Sequence, residues 1–367
     1  MLKAQYPIDK FKNIPTPFYY YDLNVLRDTL KEINQLTAGH NFEVHYALKA
    51  NVNPEILEII KEAGLGADCV SGGEVQAAVN AGIPSSKIVF AGVGKADWEI
   101  NLALENDIFC FNVESVPELE VINELAAAKN KTASVALRIN PNVDAHTHNY
   151  ITTGLNENKF GINMEDIYKV IHVLPDLKNI RMIGIHFHIG SQITDMTAYH
   201  NLCVRISEIE DTFASKNIIV QHINVGGGLG INYEHPNHFP IPEFETYFRT
   251  FKEHFNLLPG QTLHFELGRS VVAQCGSLIS KVLYVKEGST KNFVILDAGF
   301  TDLIRPALYQ AYHRIENLSN QNGTEKTYTV VGNICETDTF ASDRKIGEIK
   351  EGDYLVFYNA GAYGFEM

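Results

Sequence analysis

The sequence is poor in anything that could build a disulfide scaffold or a metal site. Its five cysteines (Cys69, Cys110, Cys203, Cys275 and Cys335) are odd in number and widely scattered, with no CxxC pair. That spacing argues against a disulfide framework and against a zinc-type site, so no metal is expected. Positive charge is short as well: 30 Lys and Arg face 44 Asp and Glu, a net charge of −14. Nucleic acid and anionic membrane are therefore poor partners, and a solvated acidic surface is the simpler reading. No apolar run approaches the length of a membrane span. The opening "MLKAQYPIDKFKNIPTP" has no apolar h-region, so no signal peptide is expected. Unpaired thiols suit a reducing cytoplasm, the expected location. Internal repeats beyond a strand–helix rhythm and low-complexity tracts are also missing.

What is present is ordinary globular composition, with 45% hydrophobic and 20% charged residues, over a chain of 367 residues. That length allows a large core and more than one domain. Eight short apolar, β-rich runs lie between residues 42 and 269: "FEVHYALKA", "ADCV", "IVFAG", "IFCFNV", "SVALRINP", "MIGIHFHIG", "VQHINVGGG" and "TLHFELGR". Helical patterns such as "NPEILEIIKEAG" and "SVPELEVINELAAAKN" separate them. Strand–helix alternation implies parallel pairing, and eight units predict a closed (β/α)8 barrel over 25–270. An open doubly wound sheet is the alternative, but no GxGxxG follows the first strand. After residue 270 the helical rhythm fades into strand-like runs separated by turns, among them "SVVAQCGSLISKVLYVKEG", "NFVILDAGF", "KTYTVVGNI" and "GDYLVFYNAGAYG". These predict a mainly β domain of 271–367, which the strand-like "TPFYYYDL" within 1–24 joins. The segment "ENLSNQNGTEKT" (316–327) reads as a polar loop or hairpin tip.

A barrel builds its active site at the carboxyl ends of its strands. Polar residues gather there: Lys49 after the first strand, Asp68 in the second, Arg138 and Asn140 in the fifth. His186 and His188, then Gly190 and Ser191, belong to the sixth. Gly226, Gly227 and Gly228 follow the seventh, and Glu266, Gly268 and Arg269 end the eighth. A lysine at the end of an apolar run is most simply a snorkelling side chain. It can also be a desolvated amine that forms a Schiff base. Glycines after the seventh strand let backbone N–H groups approach an anion, although a GGG run alone is also a tight turn. An amine and a phosphate cradle across one barrel mouth suit a phosphorylated aldehyde, pyridoxal 5'-phosphate. Glu266 could then partner the ring nitrogen, and His188 could stack on the ring. The plainer alternatives are an ion pair of Glu266 with Arg269 and a satisfied core histidine at 188.

Taken together, "YALKAN", "HFHIGSQ", "NVGGGLGINY", "ELGRSVV", "DAGFTDLIRPALYQAYH" (297–313), "ICETDTFA" and "GAYGFEM" resemble the fold-type III pyridoxal phosphate decarboxylases over nearly the whole chain. The resemblance implies pyridoxal 5'-phosphate as cofactor, held covalently by Lys49, with His188 stacked on its ring and Glu266 at its ring nitrogen. Gly226, Gly227, Gly228, Ser191 and Tyr363 would bind the phosphate. Asp68, Glu74, Arg138, Gly268 and Arg269 would shape the cofactor site. Arg269, Arg305, Tyr309, Glu336 and Tyr363 would bind the substrate, and Cys335 would return a proton. It further implies a homodimer with shared active sites, in which Cys335 and Glu336 come from the partner chain.

The segment 297–313 is typical of members that act on meso-2,6-diaminopimelate and release L-lysine and carbon dioxide. The chemistry agrees. The reacting end must lose its carboxylate, so a strong cation there would stabilise the ground state. The distal carboxylate persists and suits an arginine, Arg269 or Arg305. Carboxynorspermidine, ornithine or arginine as substrate is the alternative. A non-catalytic relative, or a barrel aldolase using Lys49 without the cofactor, is a further reading; the former would have lost Lys49 or Cys335. Two departures stand out. Leu267 replaces the family's proline, and "CETDTF" places an acid at Asp338 where the family has it one residue later.

Overall fold

The structure, a computed structural model, describes residues 6–143, 159–336 and 338–367. The chain divides into two compact units. One comprises Leu30–Gly230 with Glu243–Gly268; the other takes the described residues up to Thr29 with Ile231–Pro242 and Arg269–Met367.

In chain order β1 (Phe18–Tyr21) precedes eight strands of the first unit: β2 (Phe42–Ala47), β3 (Gly66–Cys69), β4 (Ile88–Phe90), β5 (Cys110–Val113), β6 (Ala133–Arg138), β7 (Ile180–His186), β8 (His222–Asn224) and β9 (Thr262–Leu267). β2 to β9 form a closed barrel, each strand parallel to the next and β9 returning to β2 with His45 opposite Glu266. The expected (β/α)8 barrel is thus present. Most strands end before the apolar runs that announced them, because the polar ends of those runs have left the ladder to form the rim. Local signals start the intervening helices. Asn53 accepts from the Glu55 N–H at 3.0 Å ahead of helix Pro54–Glu62. Ser71 and Ser115 accept from Glu74 and Glu118 at 3.2 and 3.3 Å ahead of helices Gly72–Asn80 and Val116–Ala128. Such caps stabilise a helix by about 1 kcal/mol each.

The barrel interior is layered. Below the rim, His45 Nδ1 lies 3.1 Å from the Lys87 carbonyl, its Nε2 lies 2.9 Å from His264 Nδ1, and His264 Nε2 lies 2.9 Å from His222 Nδ1. A carbonyl only accepts, so a neutral His45 donates from Nδ1 and accepts at Nε2. The direction then passes along the chain: His264 donates to His45 and His222 donates to His264. Burial lowers the proton affinity of all three rings, which keeps the chain neutral. Phe109 stacks on His264 with ring centroids 5.5 Å apart. Gly66 and Gly184 make room: a Cβ at the first would strike the His45 ring, and at the second the His222 backbone.

The second unit is built on one sheet. To β1 it adds β10 (Gly276–Glu287), β11 (Asn292–Leu296), β12 (Ile315–Asn317), β13 (Glu325–Val331), β14 (Thr339–Gly347) and β15 (Tyr354–Phe357). Their order is β12-β15-β10-β11-β13-β14, with β1 antiparallel to β10 and β11 parallel to β13. Leu278, Val282, Val294, Leu296, Val330, Leu355 and Phe357 form its core. On a separate cluster Phe11, Ile279, Val356 and Tyr358 pack with Tyr6, Phe18 and Tyr20. Two expectations need adjustment. Arg269–Val272 is a short helix rather than the start of a strand. The ends of the predicted loop 316–327 belong to β12 and β13, so only its middle is a connection.

Candidate active site

Lys49 sits on a 3-10 turn, Leu48–Ala50, directly after β2. Its Nζ lies 3.3 Å from Asp68 Oδ2; the lysine side chain is 36% exposed and the aspartate fully buried. Burial drives the Asp68 carboxyl up to about 8, reinforced by the negative charge of Glu266 and opposed by Lys49. No described group donates to its Oδ1. A proton on that carboxyl answers both facts. The amine thus has an acidic neighbour that can change protonation near neutral pH.

Glu266, in β9, collects three donors from three other strands. Asn112 (β5) and Asn224 (β8) donate to Oε1 at 2.9 and 2.7 Å, and His186 (β7) Nε2 lies 3.0 Å from Oε2. His186 and Asn224 are register partners across β7 and β8, so they face the same way. Burial alone would raise the carboxyl, but His186 and Lys49 outweigh it and hold Glu266 below the ordinary carboxylate range. Glu266 is therefore a fixed anion held by neighbours within the barrel, not the Arg269-paired residue the sequence also allowed. A carboxylate has about four acceptor positions, so one remains for a further donor.

His188 lies two residues beyond β7, and its Nδ1 accepts from the Gly227 N–H at 3.4 Å. Burial, with Arg138 and Lys49 nearby, keeps its ring well below the usual histidine range, hence neutral. A neutral, flat ring suits stacking on an aromatic group. Arg138 closes β6; it donates to Glu114 at 2.8 Å and lies 4.6 Å from the Phe160 ring centroid. The other Glu114 oxygen accepts from the Gly161 N–H at 2.8 Å. Glu74, in contrast, accepts from the Val70 N–H at 2.8 Å and serves its own helix start.

The three glycines follow β8. Gly226 and Gly228 have φ of +70° and +99°, where a side chain is strained. A Cβ on Gly227 would overlap the Glu266 carbonyl oxygen. Asn224 Oδ1 accepts from the Gly226 N–H at 2.9 Å. This close-packed turn is the kind of backbone that can present N–H groups to a phosphate, with Ser191 in the loop after His188. A fixed anion with one acceptor position open, an amine and a glycine cradle on one barrel rim fit pyridoxal phosphate.

The second unit holds a separate cationic cluster. Arg269 opens helix Arg269–Val272, immediately after Gly268, and donates to Tyr233 Oη at 2.7 Å. The Arg305 guanidinium lies 4.9 Å from the Tyr233 ring centroid, and that of Arg269 lies 5.0 Å from the Tyr363 ring. Both arginines are buried. Arg305 donates to His313 Nε2 at 2.8 Å. Two buried guanidiniums close to one tyrosine can bind an anion. Tyr309 ends helix Arg305–Tyr309, and Tyr363 takes φ of +56°, rare for a tyrosine. Cys335 and Glu336 are exposed on the connection between β13 and β14. Asp338, the displaced acid, is structural: it accepts from the Phe300 and Ile334 N–H groups at 2.8 and 3.2 Å.

Sequence reasoning missed Asn112, Glu114, Asn224, Tyr233 and His313 as site residues. The two asparagines had a signal, since each is a polar residue near the carboxyl end of an apolar run, in step with the inward positions of its strand. Tyr233 and His313 lay inside the motifs already noted but carried no mark of their own.

Residues 24–273 match the family described as "Pyridoxal-dependent decarboxylase, pyridoxal binding domain". Among curated proteins, the diaminopimelate decarboxylase of Bacteroides thetaiotaomicron is 62% identical over 99% of this chain and 94% of its own. That of Aquifex aeolicus is 39% identical over 96% of this chain and 83% of its own. The crystal structure of diaminopimelate decarboxylase from Helicobacter pylori complexed with L-lysine superposes with a TM-score of 0.92 at 37% identity, covering 98% of this chain and 90% of that one.

Proposed function

This chain belongs to the pyridoxal-dependent decarboxylase family, and we propose that it converts meso-2,6-diaminopimelate to L-lysine and carbon dioxide. The observation that carries the substrate assignment is the pair of buried guanidiniums, Arg269 and Arg305, arranged about Tyr233. A substrate with a carboxylate at its unreacting end offers these two guanidiniums an anionic partner, which ornithine, having none there, does not supply.

Pyridoxal 5'-phosphate, when bound, supplies the electron sink for the pair left by the departing carboxylate. Lys49 is the amine that holds it. Asp68, poised to exchange a proton near neutrality, tunes that amine. Glu266 would accept from the ring nitrogen, and His188 would cover the ring. Arg138, fixed by Glu114, contributes positive charge near His188. Gly226, Gly227, Gly228, Ser191 and Tyr363 would take the phosphate, with Gly268 as a further cofactor-site residue. Arg269, Arg305 and Tyr309 bind the distal carboxylate end, and Glu336 the distal ammonium. The bond between the reacting carbon and its carboxylate breaks, carbon dioxide leaves, and a proton from Cys335 takes its place. Exposed in a single chain, Cys335 and Glu336 serve the site of a partner subunit, making the enzyme a homodimer with shared active sites. Its free thiols suit the cytoplasm.

The test is an assay of purified protein with added pyridoxal phosphate on meso-diaminopimelate, ornithine, arginine and carboxynorspermidine separately. Lysine and carbon dioxide from diaminopimelate alone, abolished by Lys49→Ala, are expected. Faster turnover of any of the other three would overturn the assignment.

A further inference from the structure

Glu266 is held by an unusual set of neighbours: three side chains from three strands, none of them a lysine or arginine in direct contact. Asn112 and Asn224 saturate Oε1, at 2.9 and 2.7 Å. Among the described residues His186 alone addresses Oε2, at 3.0 Å, and so decides which lone pair of that oxygen stays open. The other nitrogen of His186, Nδ1, is buried and has no hydrogen-bond partner among the described residues. A proton there would be a buried donor with nothing to accept it, which is costly. The imidazole is thereby confined to the neutral tautomer with its proton on Nε2, donating to Glu266.

We propose that His186 is a positioning residue for the cofactor: as a neutral donor to Glu266 Oε2 it keeps that carboxylate ionised and aimed, and so keeps the cofactor's ring nitrogen protonated. The inference rests on the reading that Glu266 faces the ring nitrogen. Its logic is one of charge. An imidazolium would neutralise Glu266 and weaken its hold on a pyridinium. A missing donor would leave Oε2 without its protein partner and let Glu266 take up the proton itself. A neutral donor leaves one negative charge, on one fixed oxygen, for one N–H. The protein thus reserves a net anion for the ring while satisfying the rest of the carboxylate. The two asparagines do the same for Oε1 and keep the carboxylate plane from turning.

The experiment compares wild-type holoenzyme with His186→Leu, His186→Gln and Glu266→Gln, following the pH titration of the bound cofactor's absorbance together with kcat and KM. His186→Leu should shift the titration midpoint and lower kcat about ten- to a hundredfold with KM little changed, by analogy with the loss of other supporting hydrogen bonds. His186→Gln, which restores a neutral donor, should recover most of both. Glu266→Gln should move the spectrum in the same direction and further. If Glu266→Gln leaves the titration untouched, the placement of Glu266 at the ring nitrogen fails, whatever His186 does. If Glu266→Gln acts but His186→Leu leaves the titration of wild type, the role of His186 is overturned. Should His186→Leu fail to fold, nitrogen-15 histidine spectra of the wild-type holoenzyme under assay conditions decide: an Nε2–H neutral tautomer supports the proposal, and an imidazolium or an Nδ1–H tautomer overturns it.

Discussion

His313 accepts from Arg305 through Nε2 at 2.8 Å while its Nδ1 donates to the Tyr358 carbonyl at 2.8 Å, so both ring nitrogens are committed and the ring is neutral. Burial and the Arg305 charge push its pKa down to about 3. A protonated ring would turn its acceptor into an N–H aimed at a guanidinium. Because the folded value lies below that of an unfolded histidine, the stability it contributes is complete above about pH 6.5 and is lost as pH falls toward 3. Wild type should therefore lose stability faster than His313→Gln across that window, by up to about 1.4 kcal/mol per pH unit. Urea unfolding at several pH values measures the difference; parallel slopes would contradict it.

Tyr233 touches both arginines: Arg269 donates to its hydroxyl, and the Arg305 guanidinium lies over its ring. Tyr233→Phe keeps the ring under Arg305 and removes the hydroxyl that Arg269 meets at 2.7 Å. The expected result is a rise of roughly three- to tenfold in KM for diaminopimelate, the worth of one hydrogen bond, with kcat nearly unchanged. Lysine, which retains the distal carboxylate, should inhibit more weakly by the same factor. A fall in kcat with KM constant would place Tyr233 elsewhere in the reaction.

Asp68 titrates in the opposite sense from His313. Its folded value is raised, by burial first and then by Glu266, to about 8. The associated stability is fully present below the unfolded aspartate value near 4 and is lost as pH rises through about 8. The cofactor-free protein should thus lose stability between about pH 4 and 8 relative to Asp68→Asn, with no further loss above that window. Thermal melts of both proteins across that range are the check, and a constant gap between them would refute the assignment.

Gly227 and Gly73 make a matched pair. A Cβ on Gly227 would press into the Glu266 carbonyl oxygen, a backbone atom that cannot rotate away, whereas one on Gly73 meets nothing nearer than Ser71 Oγ at 3.7 Å. Gly227→Ala should cost about 1–3 kcal/mol or more and weaken cofactor binding. Gly73→Ala, inside a helix, should be neutral or stabilising by about 0.5–1 kcal/mol. Denaturation midpoints and cofactor titration separate the two.

The proposed shared-site homodimer predicts complementation. Lys49→Ala and Cys335→Ala should each be inactive alone. Mixed under conditions that exchange subunits, they should regain roughly one quarter of wild-type activity, since half the dimers are mixed and each carries one intact site. Inactivity of a mixture in which subunit exchange is verified would mean that each chain supplies its own cysteine.

Much of the barrel was legible because strand periodicity, caps and turn glycines act locally. "FEVHYALKA" announced β2, and "NPEILEIIKEAG" and "SVPELEVINELAAAKN" announced helices Pro54–Glu62 and Val116–Ala128, whose caps the structure then showed. Strand ends were overread, since a rim residue such as His188 continues an apolar run without continuing the ladder. The ranking of the acids near the lysine was not legible either. Asp68 and Glu266 are both buried carboxylates, yet one is pushed up and the other held down. Nothing in "ADCV" or "HFEL" distinguishes them, because the difference lies in donors that arrive from β5, β7 and β8.

The sequence by itself determined the alternation of strands and helices, the lysine after the first barrel strand, the glycine turn after the seventh and the arginines of "ELGR" and "LIRP", because each is written in contiguous residues. Tertiary structure alone decided that Asn112, His186 and Asn224 converge on one carboxylate, and that Tyr233 and His313 gather around two guanidiniums. Charge state and direction at a buried site depend on which donors and acceptors replace water around it, and those partners are brought together only when strands distant in the chain close into a sheet.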